Sequence, residues 1–202
     1  MSKVTFILFA LLSIPIGILN AQTLSIGPMV GINSSTYSGA SNTKSLAGLN
    51  IGAFANYSVN EHVGISAKLL YSQLGTAYKN WEDINRLHYL QMPITGIYYF
   101  GKAENQFRPK IFLGPYIGRL LDATYKDAKK ITEANSGTVY NKLDLGGLIG
   151  LGFNYRIKSR TWLNVDLGFS QGFTEVNERP MVPDKNQALS LNVGISFPVG
   201  KY

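Results

Sequence analysis

The chain has 202 residues, of which 15% are charged and 12% aromatic, with 21 Gly and a formal net charge of +7. That length suits one domain or one small barrel, and low charge combined with many Tyr, Phe and Gly argues against a soluble helical enzyme. The lack of Cys excludes a disulfide framework, a thiolate metal site and a cysteine nucleophile.

Residues 1–21 read as a cleaved signal peptide. Lys3 supplies a positive start, Val4 to Leu19 form an apolar run, and Leu19-Asn20-Ala21 places a small residue before the cut. The competing reading is an N-terminal membrane helix, against which stand Pro15, Gly17 and the polar exit Asn20-Ala21-Gln22. No Cys follows the run, so a lipoprotein anchor is excluded. The mature domain is then 22–202. It holds no second apolar run long enough for a spanning helix, so a membrane-embedded mature chain must be a closed barrel, which leaves no sheet edge in lipid.

Period two dominates that domain. The first two predicted strands cover 23–34 and 46–58; in the second, Leu49, Ile51, Ala53, Ala55 and Tyr57 oppose Asn50, Gly52, Phe54 and Asn56. The third alternates Val63, Ile65, Ala67, Leu69 and Tyr71 with Gly64, Ser66, Lys68 and Leu70. Segments 87–100 and 108–122 follow, then Leu143 to Tyr155, where Leu143, Leu145, Gly147, Ile149, Leu151, Phe153 and Tyr155 alternate with Asp144, Gly146, Leu148, Gly150, Gly152 and Asn154. Leu163 to Ser170 and Leu191 to Phe197 complete the set. A helix would gather these residues on no single stripe. Pro28, Pro93 and Pro115 fall inside strands, where each removes a ladder donor and predicts a bulge or an unpaired position. The expectation is an all-β, eight-stranded antiparallel up-and-down transmembrane barrel.

The connections support it. Val59-Asn60-Glu61, Gly101 to Gln106 and Ile157 to Arg160 read as short; 35–45, 75–86, 123–141 and 174–186 read as long and polar. Short periplasmic turns alternating with longer extracellular loops, with both chain ends periplasmic, is the outer-membrane pattern. Aromatics cluster at predicted strand ends: Tyr57, Phe100, Phe107, Phe153, Tyr155, Trp162 and Phe197 form a candidate periplasmic girdle, with Tyr71, Tyr78, Trp81, Tyr125, Tyr140, Phe169 and Phe173 toward the outer rim. A soluble lipocalin-like barrel, turned apolar side inward, is the structural alternative.

These residues resemble the small PorT-like outer-membrane β-barrel family of Bacteroidota, an outer membrane protein beta-barrel domain. The resemblance is carried by Leu69-Leu70-Tyr71-Ser72-Gln73-Leu74-Gly75, by Tyr89-Leu90-Gln91-Met92-Pro93 running on to Tyr98-Tyr99-Phe100, and by Leu113-Gly114-Pro115-Tyr116-Ile117-Gly118. Asp144-Leu145-Gly146, Gly150-Leu151-Gly152 and Gly172-Phe173-Thr174 are similar to its later strands. Gln91 stands where an acidic residue is expected, and Gly168 where Arg is common. The resemblance implies the fold and an outer-membrane location; a role in type IX secretion belongs to particular members only.

Eight strands enclose an interior that side chains fill. With the small and polar faces inward, the lumen holds a polar network of Lys68, Gln91, Lys110, Asp144 and Asp166, in which Lys68 or Lys110 can pair with Asp166, alongside Asn50, Asn56, Ser66, Thr95, Asn154, Asn164 and Asn192. Catalysis has little support. A lipid-modifying barrel needs a His near a Ser or an acid at the outer rim; His62 sits at a periplasmic turn, and His88 has only Ser72 and Glu82 in neighbouring sequence. No phosphate loop, cofactor motif or nucleic-acid-binding motif is present. Lys126, Lys129, Lys130 and Lys142 mark the longest outer loop as a surface for lipopolysaccharide phosphates or a protein partner. The function expected is a non-enzymatic barrel with a structural or interaction role through its outer loops; the alternative is a narrow channel or an accessory of a type IX-like secretion machine.

Overall fold

A strand whose two faces differ in polarity settles only where one face meets an apolar phase and the other does not, and eight such strands close here into a barrel. The computed structural model describes residues 23–39, 43–78, 84–124, 140–158, 161–178 and 184–199; the predicted signal peptide lies outside them. The strands are β1 (Thr23–Ser38), β2 (Thr43–Ser58), β3 (Val63–Tyr78), β4 (Ile84–Tyr99), β5 (Phe107–Thr124), β6 (Leu143–Lys158), β7 (Thr161–Gly172) and β8 (Lys185–Val199). All pair antiparallel in chain order, and β8 returns to β1, where Leu24 lies opposite Val199 and Ser38 opposite Lys185.

The alternation maps directly onto the barrel wall. Ile26, Val30, Ile32, Leu49, Ile51, Leu113, Ile149 and Leu151 point outward and are exposed, while Asn50, Lys68, Asp144, Asn164 and Asp166 point inward and are buried. This is the reverse of a lipocalin-like barrel, so the soluble alternative gives way. Small inward residues make room for large ones on the next strand. A Cβ on Gly150 would sit 2.3 Å from the Phe112 ring, and one on Gly146 2.4 Å from the Tyr116 ring. The glycine-rich face of β6 is thus a set of seats for β5 aromatics.

Each of the three prolines keeps one neighbour and interrupts the other ladder. Pro28 pairs with Ala53 of β2 but is skipped by β8; Pro93 pairs with Tyr116 of β5 but is skipped by β3; Pro115 pairs with Gly147 of β6 but is skipped by β4. Register shifts occur elsewhere, between Ser45 and Asn50, His88 and Tyr89, and Arg156 and Lys158.

Two connections differ from the sequence reading. Segments 35–45 and 75–86 are not long loops: β1 runs on to Ser38, β2 begins at Thr43, β3 reaches Tyr78 and β4 begins at Ile84. Their Ser, Thr and Asn residues belong to strands that keep pairing where the outer face no longer needs to be apolar. The connections after β5 and β7 remain the long ones.

Candidate functional site

The lumen is where this chain concentrates its buried polar chemistry. Three tiers of side chains cross it, each joining walls distant in sequence.

The tier nearest the chain ends is built on amides. Asn56 of β2 donates to Asn164 of β7 at 3.2 Å, and Asn164 donates to the Ser196 hydroxyl of β8 at 3.0 Å. Arg108 of β5 closes this end: its guanidinium lies 4.3 Å from the centre of the Tyr99 ring and donates to the Glu61 carbonyl in the β2–β3 turn. The middle tier is ionic. Asp166 of β7 receives Lys68 of β3 at 2.6 Å and Lys110 of β5 at 2.7 Å, all three buried. Lys68 also lies 5.1 Å from the Phe112 ring centre. Beside it an amide relay runs from Asn33 to Asn50 at 2.8 Å and from Asn50 to Asn192 at 2.9 Å.

The outer tier centres on Asp144 of β6. Its oxygens accept from Tyr116 at 3.3 Å, Asn186 at 3.0 Å and Thr174 at 3.3 Å, and Asn186 also donates to the Tyr89 hydroxyl at 3.2 Å. Above it the β7–β8 connection turns back into the mouth. Val176 seats among Tyr37, Leu74, Leu87, Tyr89, Ala123 and Ala188, an apolar cork. The cork is held by Asn141, whose backbone N–H donates to the Val176 carbonyl at 2.8 Å and whose amide donates to the carbonyls of Glu175 and Asn177. Asp184 accepts from Asn177; burial, with the Glu175 carboxylate nearby, pushes its acid above the usual carboxylate range, while the Asn177 hydrogen bonds act the other way.

Of the five predicted lumen residues, the structure joins Lys68, Lys110 and Asp166 directly. Asp144 belongs to the separate outer tier. Gln91 lines a small cavity beside Lys68 and has no hydrogen-bond partner among the described residues. Of the predicted girdle, Tyr57, Phe100, Phe107, Tyr155 and Phe197 are exposed on the outward face near the chain ends, and Phe153 packs 5.1 Å from Phe107, centre to centre. Trp162 is a correction: it shares the parity of Asn164 and Asp166, so it faces the lumen mouth, with Arg156 5.2 Å and Arg108 6.0 Å from its ring centre. Trp81 and Tyr125 lie outside the described residues, as do Lys126, Lys129 and Lys130.

His88 and Ser72 sit on opposite faces of the barrel wall, so they form no catalytic pair. His88 faces outward, bonded through Nδ1 to the Tyr71 hydroxyl at 2.6 Å and through Nε2 to the Thr124 hydroxyl at 3.1 Å, while Ser72 is buried inside. Glu82 lies outside the described residues. Sequence reading missed Arg108, Tyr116, Asn186 and the Val176 cork. Parity with Lys110 was signal enough for Arg108 and Tyr116; nothing local marks Val176.

The profile of a family described as "Outer membrane protein beta-barrel domain" matches residues 20–178. No curated protein matches the chain. Among solved structures, Neisserial surface protein A is similar at 13% identity with a TM-score of 0.61, covering 86% of this chain and 96% of its own. The outer membrane protein OprG from Pseudomonas aeruginosa is similar at 14% identity and a TM-score of 0.56, covering 90% and 97% respectively. Outer Membrane Protein W of E. coli follows at 14% identity and 0.54, covering 89% and 98%. At such identities the likeness speaks for the fold alone.

Proposed function

We propose, from the premise that this chain belongs to the outer membrane protein beta-barrel domain family, that it is a sealed barrel without enzymatic activity, working through what it presents outside the membrane. The chain is an eight-stranded antiparallel barrel of the bacterial outer membrane. The observation that carries the proposal is the closed lumen. Among the described residues side-chain bonds tie opposite walls at three levels, and the cavity beside Lys68 measures about 40 Å³, room for one or two water-sized particles rather than a solute path.

The strand patterns from Leu69 to Gly75, Tyr89 to Phe100 and Leu113 to Gly118 support a place among the PorT-like barrels of Bacteroidota. Lys44, Arg119 and Lys142 are exposed toward the end away from the chain termini, the end that faces outward in this topology. That supports lipopolysaccharide phosphates as one partner and an acidic protein surface as another.

In planar bilayers the purified barrel is expected to give no steady current above the lipid background. Steady, ion-selective currents would overturn the sealed reading in favour of a narrow channel or secretion accessory. A photo-crosslinker at Phe173, exposed beside the outer mouth, is expected in living cells to capture lipopolysaccharide or an envelope protein. Capture of neither would remove the interaction role.

A further inference from the structure

The buried charges of the middle tier do not balance. Lys68, Lys110 and Arg108 are each no more than 6% exposed, and Asp166 is the carboxylate set among them. Arg108 turns away toward Tyr99 and the Glu61 carbonyl. Of the other buried carboxylates, Asp144 is engaged by Tyr116, Asn186 and Thr174 in the outer tier, and Asp184 by Asn177 in the β7–β8 connection. Two ammonium groups therefore share one carboxylate, and an excess positive charge remains in a wall-to-wall packed interior. Such a charge is costly unless something answers it.

The cavity of about 40 Å³ lies at the place where an answer fits. Its polar lining holds the Lys68 ammonium together with amide and hydroxyl groups that can turn a donor toward it. The amide relay Asn33→Asn50→Asn192 runs in one direction, each Nδ2 donating to the next Oδ1. Its donor end, the Nδ2 of Asn192, has no hydrogen-bond partner among the described residues, although Asn192 is only 7% exposed and lines the cavity. The Gln91 amide and the Ser190 hydroxyl also line it without a described partner, and Lys68 approaches from the side. Aligned amides polarise one another, which strengthens the terminal donor.

We propose that this cavity is a binding site for one small inorganic anion of halide size, held by Lys68, Asn192, Gln91 and Ser190. The anion neutralises the excess charge of the Lys68–Asp166–Lys110 triad and satisfies donors that a water molecule, which must place its own two hydrogens, serves less well. It is a resident ion in a closed lumen, so the bilayer recording above and the test below fail independently.

Bromide is the probe. Crystals of the detergent-purified barrel grown in sodium bromide should show one anomalous peak inside the wall, in contact with Lys68 Nζ. In solution the wild type should unfold at a higher temperature in chloride than in gluconate at equal ionic strength. Asn192→Leu should erase that difference while still giving a heat-modifiable band on gels. If Asn192→Leu does not fold, Gln91→Leu, at a half-buried position, should weaken the difference instead. A cavity without bromide, or wild-type stability equal in the two salts, overturns the site.

Discussion

Asp166→Leu is expected to destabilise the barrel by about 3–5 kcal/mol, the cost of leaving buried charge without its partner. Among the described residues it is the carboxylate that Lys68 reaches at 2.6 Å and Lys110 at 2.7 Å, and neither ammonium has a wet surface to retreat to. The loss belongs to the orphaned lysines and not to any large intrinsic worth of the ion triad. The combined variant Lys68→Met, Lys110→Met, Asp166→Leu is therefore expected to recover most or all of the loss, because buried ionic groups replaced together by apolar ones of similar volume are often neutral or stabilising. Urea unfolding in lipid vesicles, followed by the heat-dependent gel shift, measures both. If Asp166→Leu keeps the wild-type midpoint, the triad has no part in holding the walls together.

The triad was legible because charge on a predicted inward face must be matched. Once the alternation of 63–71 put Lys68 inward and that of 163–170 put Asp166 inward, the pairing followed. The same parity argument, applied without exception, would have moved Trp162 from the girdle to the lumen mouth, since it lies two residues from Asn164. For an aromatic at a strand end, position along the strand does not tell which face it takes. Segments 35–38 and 43–45 read as loop for a related reason. Hydrophobic alternation reports a strand only where the outside is lipid, and those residues pair beyond it. The Val176 cork lay beyond reach altogether, because its seat is assembled from six side chains on β1, β3, β4, β5 and β8.

The outer tier is less legible than the ionic one. Alternation marks Asp144 as a lumen residue, yet its partners Asn186 and Thr174 come from β8 and the connection before it, where the sequence reads as loop. A network can be read from sequence only as far as its strands can, so the tier built partly outside the apolar band stayed half hidden.

The lipid-facing wall gives the other large effect. Ile149 and Ile157 lie on the same strand, β6, and on the same outward face, with 61% and 49% of their surface exposed. Ile149 stands midway between Leu143, where β6 begins, and Tyr155 of the periplasmic girdle, so it faces the bilayer centre; Ile157 lies beyond the girdle. Ile149→Arg is expected to cost about 2–4 kcal/mol and Ile157→Arg only about 0–1 kcal/mol, because the penalty for a cation falls from the midplane to the interface. The comparison holds residue type, strand, face and substitution fixed, so depth in the membrane is the variable that remains. Each variant would be refolded into vesicles and unfolded in urea. On a water-facing wall both changes would be nearly free, and Ile149, the more exposed of the two, would be no worse a place for charge than Ile157. Equal costs at the two positions would thus remove the bilayer from around β6.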